Sequence, residues 1–253
     1  PILHPPTLQS SEIRACFTTR RGGVSAPPFH ELNLSQRDDD PASVAENMLR
    51  LCRAAGLGRC PPALQRQVHG SDVTWIGGED GPAPGEVRHR DGDALVTRQH
   101  SVAVAVLVAD CVPVLLWDPV QGAVAAVHAG WRGTAAQVVR RTLASMAERI
   151  GTRATDVRAA IGPAIGGCCY DVGPEVVDAL GQELAPHEFM TSAEEGERRV
   201  DLCRANEAML RRAGVLASSI SRAGGCTCCS EDFFSYRRDG PRTGRQMGVI
   251  ELV

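Results

Sequence analysis

The sequence predicts a single α/β (α+β) domain, spanning residues 1–253, with central mixed β-sheets flanked by outer helices. Three observations support this prediction. Short valine-rich segments alternate along the chain with segments of helical periodicity. A hydrophobic content of 43% over 253 residues is enough for a full core. Glycine and proline are spread evenly, with no repeat or low-complexity linker to divide the chain.

The predicted strands are mainly apolar runs. A short strand is expected at residues 63–68, followed by DALVT, SVAVAVLVA, VPVLLWDP and GAVAAVH. SVAVAVLVA lacks the alternation that marks a solvent-facing side, which is typical of a buried central strand. The short connections that follow it favour hairpins in a mixed sheet. VRAAIG and the weaker SISRAGG add strands in the second half.

Four segments have the pattern of helices. PASVAENMLRLCRAAG has apolar residues at helical spacing, with Ser43 as its expected N-cap and Gly56 as its stop. A second helix is predicted over residues 134–150, capped by Thr134. VGPEVVDALGQEL and DLCRANEAMLRRAG supply the remaining two.

Composition excludes several classes of function. The net charge is −3, and because the sequence holds no lysine, all 27 basic residues are arginine, which excludes Schiff-base chemistry. Arginine mixed with acidic residues argues against nucleic-acid and membrane partners. The longest apolar run, 102–109, is far shorter than the about 20 residues that a bilayer requires. With no signal-peptide pattern at the N-terminus, a cytoplasmic protein is expected, and its ten cysteines are expected to be mostly reduced.

Three soft or borderline metal ligands follow predicted strands. QVHGSDV contains His69, VAVLVADC ends at Cys111, and AAVHAGW contains His128. Two imidazoles and a thiolate suit zinc, with a fourth position open to water or substrate. The spacing alone also permits ordinary turn residues, or a Cys–His nucleophile pair without a metal.

Three arginine-containing stretches suggest anion binding. AGWRGT joins a predicted strand to a helix, so Arg132 and free amide groups could hold phosphate, or the stretch could be a capped helix with a surface arginine. Arg20 precedes a glycine pair in TTRRGG, where a surface role is the simpler alternative. FFSYRRDG places Phe234 and Arg237 either at an apolar pocket with arginines at its mouth, or in core followed by a turn.

Two further groups have ordinary explanations. In GGCCYD and GGCTCCSED, adjacent cysteines and cysteines one residue apart lack the usual gap of two to four residues between zinc ligands, which favours buried thiols. Asp91 and Asp93 in RDGDALV resemble a carboxylate pair, but Asp-Gly-Asp before a strand is also a common turn.

Taken together, these motifs resemble a known family. FTTRRGGVS, QVHGSDV, DALVT, ADCVPVLLWDP, AAVHAGWRGT, IGPAIGGCCYDVGPEV, CTCCSEDFFSYRRDG and TGRQMGVI occur in the order found in the bacterial laccase-domain family, also called the polyphenol-oxidase-like or peptidoglycan-editing-factor family. The resemblance implies a single α/β domain and one zinc ion held by His69, Cys111 and His128. Copper is the less expected metal, because the sequence has no His-x-His pairs or blue-copper pattern.

The resemblance also implies an enzyme acting on purine nucleosides and phosphate. The expected reactions are phosphorolysis of adenosine, inosine, guanosine and methylthioadenosine, with adenosine deamination as a side activity. Arg20, Cys111 and His128 are the expected catalytic residues, and Arg20, Arg132, Phe234 and Arg237 the expected phosphate or substrate contacts. A Cys/His hydrolase that edits peptidoglycan precursors and a multicopper polyphenol oxidase are the alternatives. The oligomeric state is not determined by the sequence.

Overall fold

The computed structural model describes residues 2–58, 61–78, 81–191 and 198–253. These residues form two β-sheets with helices packed outside them, which confirms the predicted α/β class with mixed sheets. The strands are β1 (Ile2–Leu3), β2 (Ile13–Thr18), β3 (Val73–Ile76), β4 (Ala94–Thr97), β5 (Val104–Val108), β6 (Val112–Asp118), β7 (Ala123–Ala129), β8 (Arg158–Ile161), β9 (Ile220–Arg222) and β10 (Gln246–Leu252). The helices are α1 (Pro41–Ala55), α2 (Trp131–Ala135), α3 (Val138–Ile150), α4 (Pro174–Gly181), α5 (Leu202–Arg212) and α6 (Tyr236–Asp239).

The two sheets differ in topology. One has four antiparallel strands in the order β1-β2-β10-β5. The other has six strands in the order β3-β4-β7-β6-β8-β9, and it is mixed because β3–β4 and β8–β9 are parallel pairs. The predicted hairpin is confirmed for β6 and β7, which pair along their full lengths.

The continuous apolar character of β6 and β7 follows from burial on both faces. Residues such as Phe17, Leu115 and Ile250 pack in a layer between the two sheets. On its other face the six-stranded sheet packs against helical residues, including Met146 of α3 and Met209 of α5. Every residue of β6 and β7 is therefore buried, and no polar alternation is required.

The structure corrects two strand predictions. Residues 63–68 form no strand; this segment makes only isolated parallel bridges, from Ala63 to Val104 and from Arg66 to Asp91. SVAVAVLVA is buried as predicted, but its strand β5 is the last strand of the four-stranded sheet rather than a central one. Its burial comes from the six-stranded sheet that packs against it, which sequence periodicity cannot distinguish from a central position.

Two predicted helix starts are also wrong. The N-cap of α1 is Asp40, whose carboxylate accepts a hydrogen bond from the Ser43 backbone N–H at 2.9 Å, whereas Gly56 ends the helix as predicted. The helix predicted at residues 134–150 is two helices, since Gln137 adopts a left-handed conformation at φ 61° between α2 and α3. Gly130, not Thr134, is the N-cap of α2, and the buried Thr134 hydroxyl accepts a hydrogen bond from Asn206 instead.

None of the helices in the described parts of the chain has the length and apolar character needed to cross a bilayer.

Candidate active site

His69, Cys111 and His128 come together in space as the sequence predicted. One potential ligand atom from each lies within 4.8 Å of the others. The strand register explains the meeting of two of them: Val112 of β6 pairs with Ala129 of β7, so Cys111, just before β6, lies beside His128, just before the end of β7. His69 comes from the loop that precedes β3, and its ring meets that of His128 edge to face, with centroids 4.9 Å apart.

A buried carboxylate orients two of these residues. Asp93 is completely buried and accepts a hydrogen bond from Nδ1 of His128 at 2.7 Å. The same carboxylate accepts from the backbone N–H groups of His69 at 3.0 Å and Gly70 at 2.7 Å. Because Nδ1 of His128 is engaged by Asp93, Nε2 is the ring nitrogen that can bind a metal ion. The hydrogen bonds from the His69 and Gly70 backbone hold the loop that carries His69 against the same carboxylate.

The charges within the group stabilise one another. Burial raises the pKa of the Cys111 thiol, but the positive charge of His128 and hydrogen bonds from both histidines outweigh burial and lower this pKa to about 6. Burial lowers the pKa of His128, but Cys111 and Asp93 outweigh it and raise the pKa to about 9. Without a metal ion, Cys111 and His128 therefore form a thiolate–imidazolium pair near neutral pH. A bound cation would replace the proton that the two share.

The glycines after His128 are explained by close packing. A Cβ atom on Gly130 would lie 3.0 Å from both Cys111 Sγ and Cδ2 of the His69 ring. A Cβ atom on Gly133 would lie 2.9 Å from the backbone oxygen of Gly70. Both glycines thus let the start of α2 approach His69, Cys111 and His128, called the ligand group below. Neither glycine has a positive φ, so neither is required for a left-handed conformation.

The donor set fits a divalent metal of borderline softness. It supplies one thiolate and two imidazoles, the ligands that zinc prefers when a fourth position is left for water or substrate. His128 is almost fully buried, Cys111 is partly buried and His69 is exposed, so the group is open to solvent on the His69 side. The three residues can therefore bind a metal ion that substrate can reach.

Asp93→Asn should weaken metal binding without removing a ligand. The amide has nearly the same shape but no negative charge, so the His128 ring loses its anionic partner, and we expect a decrease in metal affinity of about 10- to 100-fold. Competition with a chromogenic chelator measures this affinity. Asp91→Asn is the matched control, because Asp91 is exposed and pairs with Arg66. Equal affinities for the two variants would show that Asp93 does not orient the ligand.

Arg132 and Arg237 both interact with Tyr170. The guanidinium of Arg237 lies 5.1 Å from the centroid of the Tyr170 ring. Burial raises the pKa of Tyr170 to about 12; the charge of Cys111 adds to this increase, whereas Arg237 and Arg132 oppose it. The charges of both arginines and of Cys111 thus act on the same phenol. Arg132 itself is exposed, 4.2 Å from the centroid of Trp131.

Arg237 also has structural partners. Its backbone N–H donates to the Asp110 carboxylate at 2.6 Å, directly beside Cys111 in the chain. Its guanidinium donates to the carbonyl oxygens of Cys169 at 3.4 Å and Asp171 at 3.0 Å. Arg237 therefore connects the Cys111 turn to the loop that precedes α4.

Arg20 and Phe234 lie against each other. The Arg20 guanidinium carbon is 4.8 Å from the Phe234 ring centroid, and Nε donates to the His30 carbonyl at 2.8 Å. Asp239 is 4.0 Å from the guanidinium. Burial lowers the pKa of Arg20, and Asp239 partly reverses this decrease. Phe234 is completely buried, so its ring packs against the Arg20 guanidinium and does not line an open pocket.

Two residues of this region were missed by the sequence interpretation. The sequence around Asp93 predicts either one half of a carboxylate pair or part of a turn, whereas its carboxylate contacts His128 and Asp91 is on the surface. Arg245 was not singled out, yet its charge interacts with those of Cys111 and Asp110. The sequence signal for Asp93 was its place directly before β4, and Arg245 lies in the TGRQMGVI motif, in which no single residue was assigned a role.

The prediction of buried thiols in the other cysteine group is wrong. Cys168 and Cys229 are exposed, and Cys169 and Cys226 are partly exposed. The four sulfur atoms nevertheless lie within 4.8 Å of one another. The sequence signal was present, because Cys226 and Cys229 are separated by two residues, as ligands in a zinc-binding turn commonly are.

Comparison with known proteins assigns the family. The family described as multi-copper polyphenol oxidoreductase laccase matches residues 14–253. The chain belongs to this family. The resemblance inferred from the motifs of the sequence is thereby confirmed. The family name mentions several copper ions, whereas the His69, Cys111 and His128 group offers ligands for one metal ion.

Relatives in this laccase family carry a different enzymatic name. A protein of Deinococcus radiodurans named purine nucleoside phosphorylase is 42% identical over 252 residues, which cover 100% of this chain and 93% of the relative. A purine nucleoside phosphorylase of Corynebacterium glutamicum is 39% identical over 248 residues, covering 95% of this chain and 94% of the relative. The similarity to both proteins therefore extends over nearly the full length of each.

Solved structures of similar proteins have the same fold. YlmD from Geobacillus stearothermophilus has a TM-score of 0.87 and 34% identity, with 98% of this chain and 93% of that chain covered. The Bacillus licheniformis hypothetical protein YfiH has a TM-score of 0.86 and 34% identity, with 95% and 93% covered. The two-sheet α/β architecture of this laccase-family protein is thus shared with both.

Proposed function

We propose that the protein is a zinc-dependent purine nucleoside phosphorylase. The observation that carries this proposal is the His69, Cys111 and His128 group, which is open to solvent on the His69 side. Arginine suits phosphate, and the charges of Arg132 and Arg237 act on the same Tyr170 phenol as that of Cys111. The relatives named purine nucleoside phosphorylase support the proposal. Inosine, adenosine, guanosine and methylthioadenosine are the proposed nucleosides, and inorganic phosphate is the second substrate.

In phosphorolysis, a phosphate oxygen forms a bond to C1′ of the ribose while the bond from C1′ to the base nitrogen breaks. The base leaves with the electron pair and takes up a proton, so the products are ribose 1-phosphate and the free base. Zinc held by His69, Cys111 and His128 would supply a Lewis acid for a substrate oxygen. The residues of the chain have to bind the phosphate, fix the line of attack and balance the charge.

Arg20 and Arg132 are the proposed phosphate ligands. Arg20 is held by Phe234 and the His30 carbonyl, so its position is set before substrate binds. Arg132 is exposed at the start of α2, on the segment that Gly130 brings close to the ligand group. Arg237 uses its backbone N–H and one terminal guanidinium nitrogen to bind Asp110, Cys169 and Asp171, so we assign it a role in positioning the Cys111 turn.

The decisive assay incubates the purified protein with inosine, with and without phosphate. We expect hypoxanthine and ribose 1-phosphate only when phosphate is present. Release of hypoxanthine that does not depend on phosphate would indicate a hydrolase and contradict the proposal. Adenosine without phosphate tests the proposed deaminase side activity, for which inosine and ammonia are the expected products.

A second function is favoured by the contact between Cys111 and His128, in which the His128 charge lowers the pKa of the thiol and the Cys111 charge raises the pKa of the imidazole. Such a pair is the arrangement of cysteine hydrolases, and amide bonds of peptidoglycan precursors would be the substrate class. A muropeptide precursor added to the metal-free protein distinguishes the two. Cleavage there, combined with no phosphorolysis by the zinc-loaded protein, would replace the phosphorylase with the hydrolase.

A further inference from the structure

We propose that Cys168, Cys169, Cys226 and Cys229 form a second metal site, a tetrathiolate centre that binds a structural zinc ion. The sulfur atoms come from two loops, one between β8 and α4 and one between β9 and α6. Cys229 Sγ is 3.2 Å from Cys169 Sγ and 3.4 Å from Cys168 Sγ, and all four sulfur atoms are within 4.8 Å of one another. This site is separate from the proposed function and does not depend on it.

The dimensions of the group match those of a zinc ion with four thiolate ligands. A zinc–sulfur bond of about 2.3 Å in tetrahedral geometry places the sulfur atoms about 3.8 Å apart. The observed spacing of 3.2–4.8 Å brackets this value. The four thiols are exposed or partly exposed, so burial as small apolar side chains does not account for their position.

The backbone around Cys226 is arranged as in a metal-binding turn. The Gly166 N–H donates to Cys226 Sγ at 3.2 Å, and the Cys229 N–H also bonds to this sulfur. Such N–H groups stabilise a thiolate ligand, as other outer-shell hydrogen bonds do. A Cβ atom on Gly166 would lie 3.2 Å from Cys226 Cβ and 3.3 Å from Cys168 Sγ, so a glycine lets the loops approach.

Both loops are held in place by contacts that do not require a metal. Thr227 donates its backbone N–H to Ala164 at 3.0 Å and its hydroxyl to the Asp110 carboxylate at 2.6 Å. The guanidinium of Arg238 donates to the carbonyl oxygens of Thr227 at 2.9 Å and Cys228 at 3.4 Å. The loop that carries Cys226 and Cys229 is therefore held in position without a metal ion.

Asp110 connects the tetrathiolate site to Cys111. It precedes Cys111 in the chain and receives hydrogen bonds from Thr227 and from the Arg237 backbone. A zinc ion that holds the two cysteine loops together would therefore also hold the turn at Asp110 and Cys111 in position. Binding releases the thiol protons to solvent and involves no redox step, so no further reactant is required.

Metal analysis of the reduced, zinc-loaded protein tests this directly. We expect two zinc ions per chain in the unmodified protein, one in Cys226→Ser/Cys229→Ser, and one in His69→Ala. Cys228→Ser is the matched control, since Cys228 lies in the same loop but outside the group, and it should keep two. Because it lacks this zinc ion, Cys226→Ser/Cys229→Ser should also have a melting temperature several degrees below that of Cys228→Ser.

A second measurement keeps the test valid if the double variant does not fold. His69→Ala, stripped of metal and titrated with Co²⁺ alone, should show tetrahedral d–d bands together with an intense thiolate-to-cobalt charge-transfer band. No metal in His69→Ala and no such band would overturn the proposal. A disulfide between Cys229 and Cys168 or Cys169 in freshly purified protein, or two zinc ions retained by Cys226→Ser/Cys229→Ser, would also overturn it.

Discussion

His128→Ala should lower the zinc content by one ion per chain and reduce phosphate-dependent release of hypoxanthine from inosine by more than about 100-fold. The substitution removes one of three ligands, and loss of an outer-shell partner alone costs 10- to 100-fold. It also leaves the completely buried Asp93 carboxylate without its partner, which destabilises the fold by about 3–5 kcal/mol. Metal analysis, the inosine assay and thermal denaturation measure the three effects.

Substitution of the exposed residue His69 distinguishes the effect of losing the metal ion from the effect of destabilising the fold. His69→Ala removes an exposed imidazole but leaves the bond between Asp93 and His128, so it should lose the metal and activity at near-normal stability. His187→Ala is the matched control, because His187 is an exposed histidine outside the ligand group. Full phosphorolysis by a His69→Ala or His128→Ala protein that lacks this ion would rule out the metal-dependent mechanism.

Arg20→Ala should raise the KM for phosphate by about 10- to 100-fold, with the zinc content unchanged. Hydrogen bonds between charged groups contribute about 1.5–3 kcal/mol, which corresponds to this range. Arg20→Lys should recover only part of the loss, because an ammonium group cannot provide the paired donors of a guanidinium. Steady-state kinetics at varied phosphate and saturating inosine measure the effect.

The neighbouring arginine provides the control for this prediction. Arg21 is more exposed and pairs with Asp232 and Glu31, so Arg21→Ala should leave the KM for phosphate within about twofold of normal. An Arg20→Ala protein with an unchanged KM for phosphate would remove Arg20 from the phosphate site. Arg132, the second proposed phosphate ligand, would then be the residue to substitute.

The ligand group could be predicted because its residues follow apolar strands, and the order of their motifs along the chain resembles a known family. The sequence predicts His69, Cys111 and His128 as metal ligands, and the structure brings the three side chains together. Asp93 could not be assigned in the same way. An acidic residue in a Gly-containing turn has the same local pattern whether its carboxylate faces solvent, as in Asp91, or a buried imidazole.

The strand and helix errors have a related cause. Local periodicity predicted the burial of β5 correctly, but it cannot tell a strand covered by a second sheet from one in the middle of its own sheet. The predicted helix at residues 134–150 is divided at Gln137, which adopts a left-handed conformation between α2 and α3. Tertiary packing overrode helix propensity at that position.

By itself, the sequence determined the fold class, the family and the three candidate metal ligands, because apolar periodicity and motif order are local properties of the chain. The tertiary structure decided which distant residues support them. Asp93 and the Cys168, Cys169, Cys226 and Cys229 group acquire their roles only when loops far apart in sequence are brought within hydrogen-bond or ligand distance. Such contacts depend on how the two sheets and their loops pack together, which no local pattern of residues encodes.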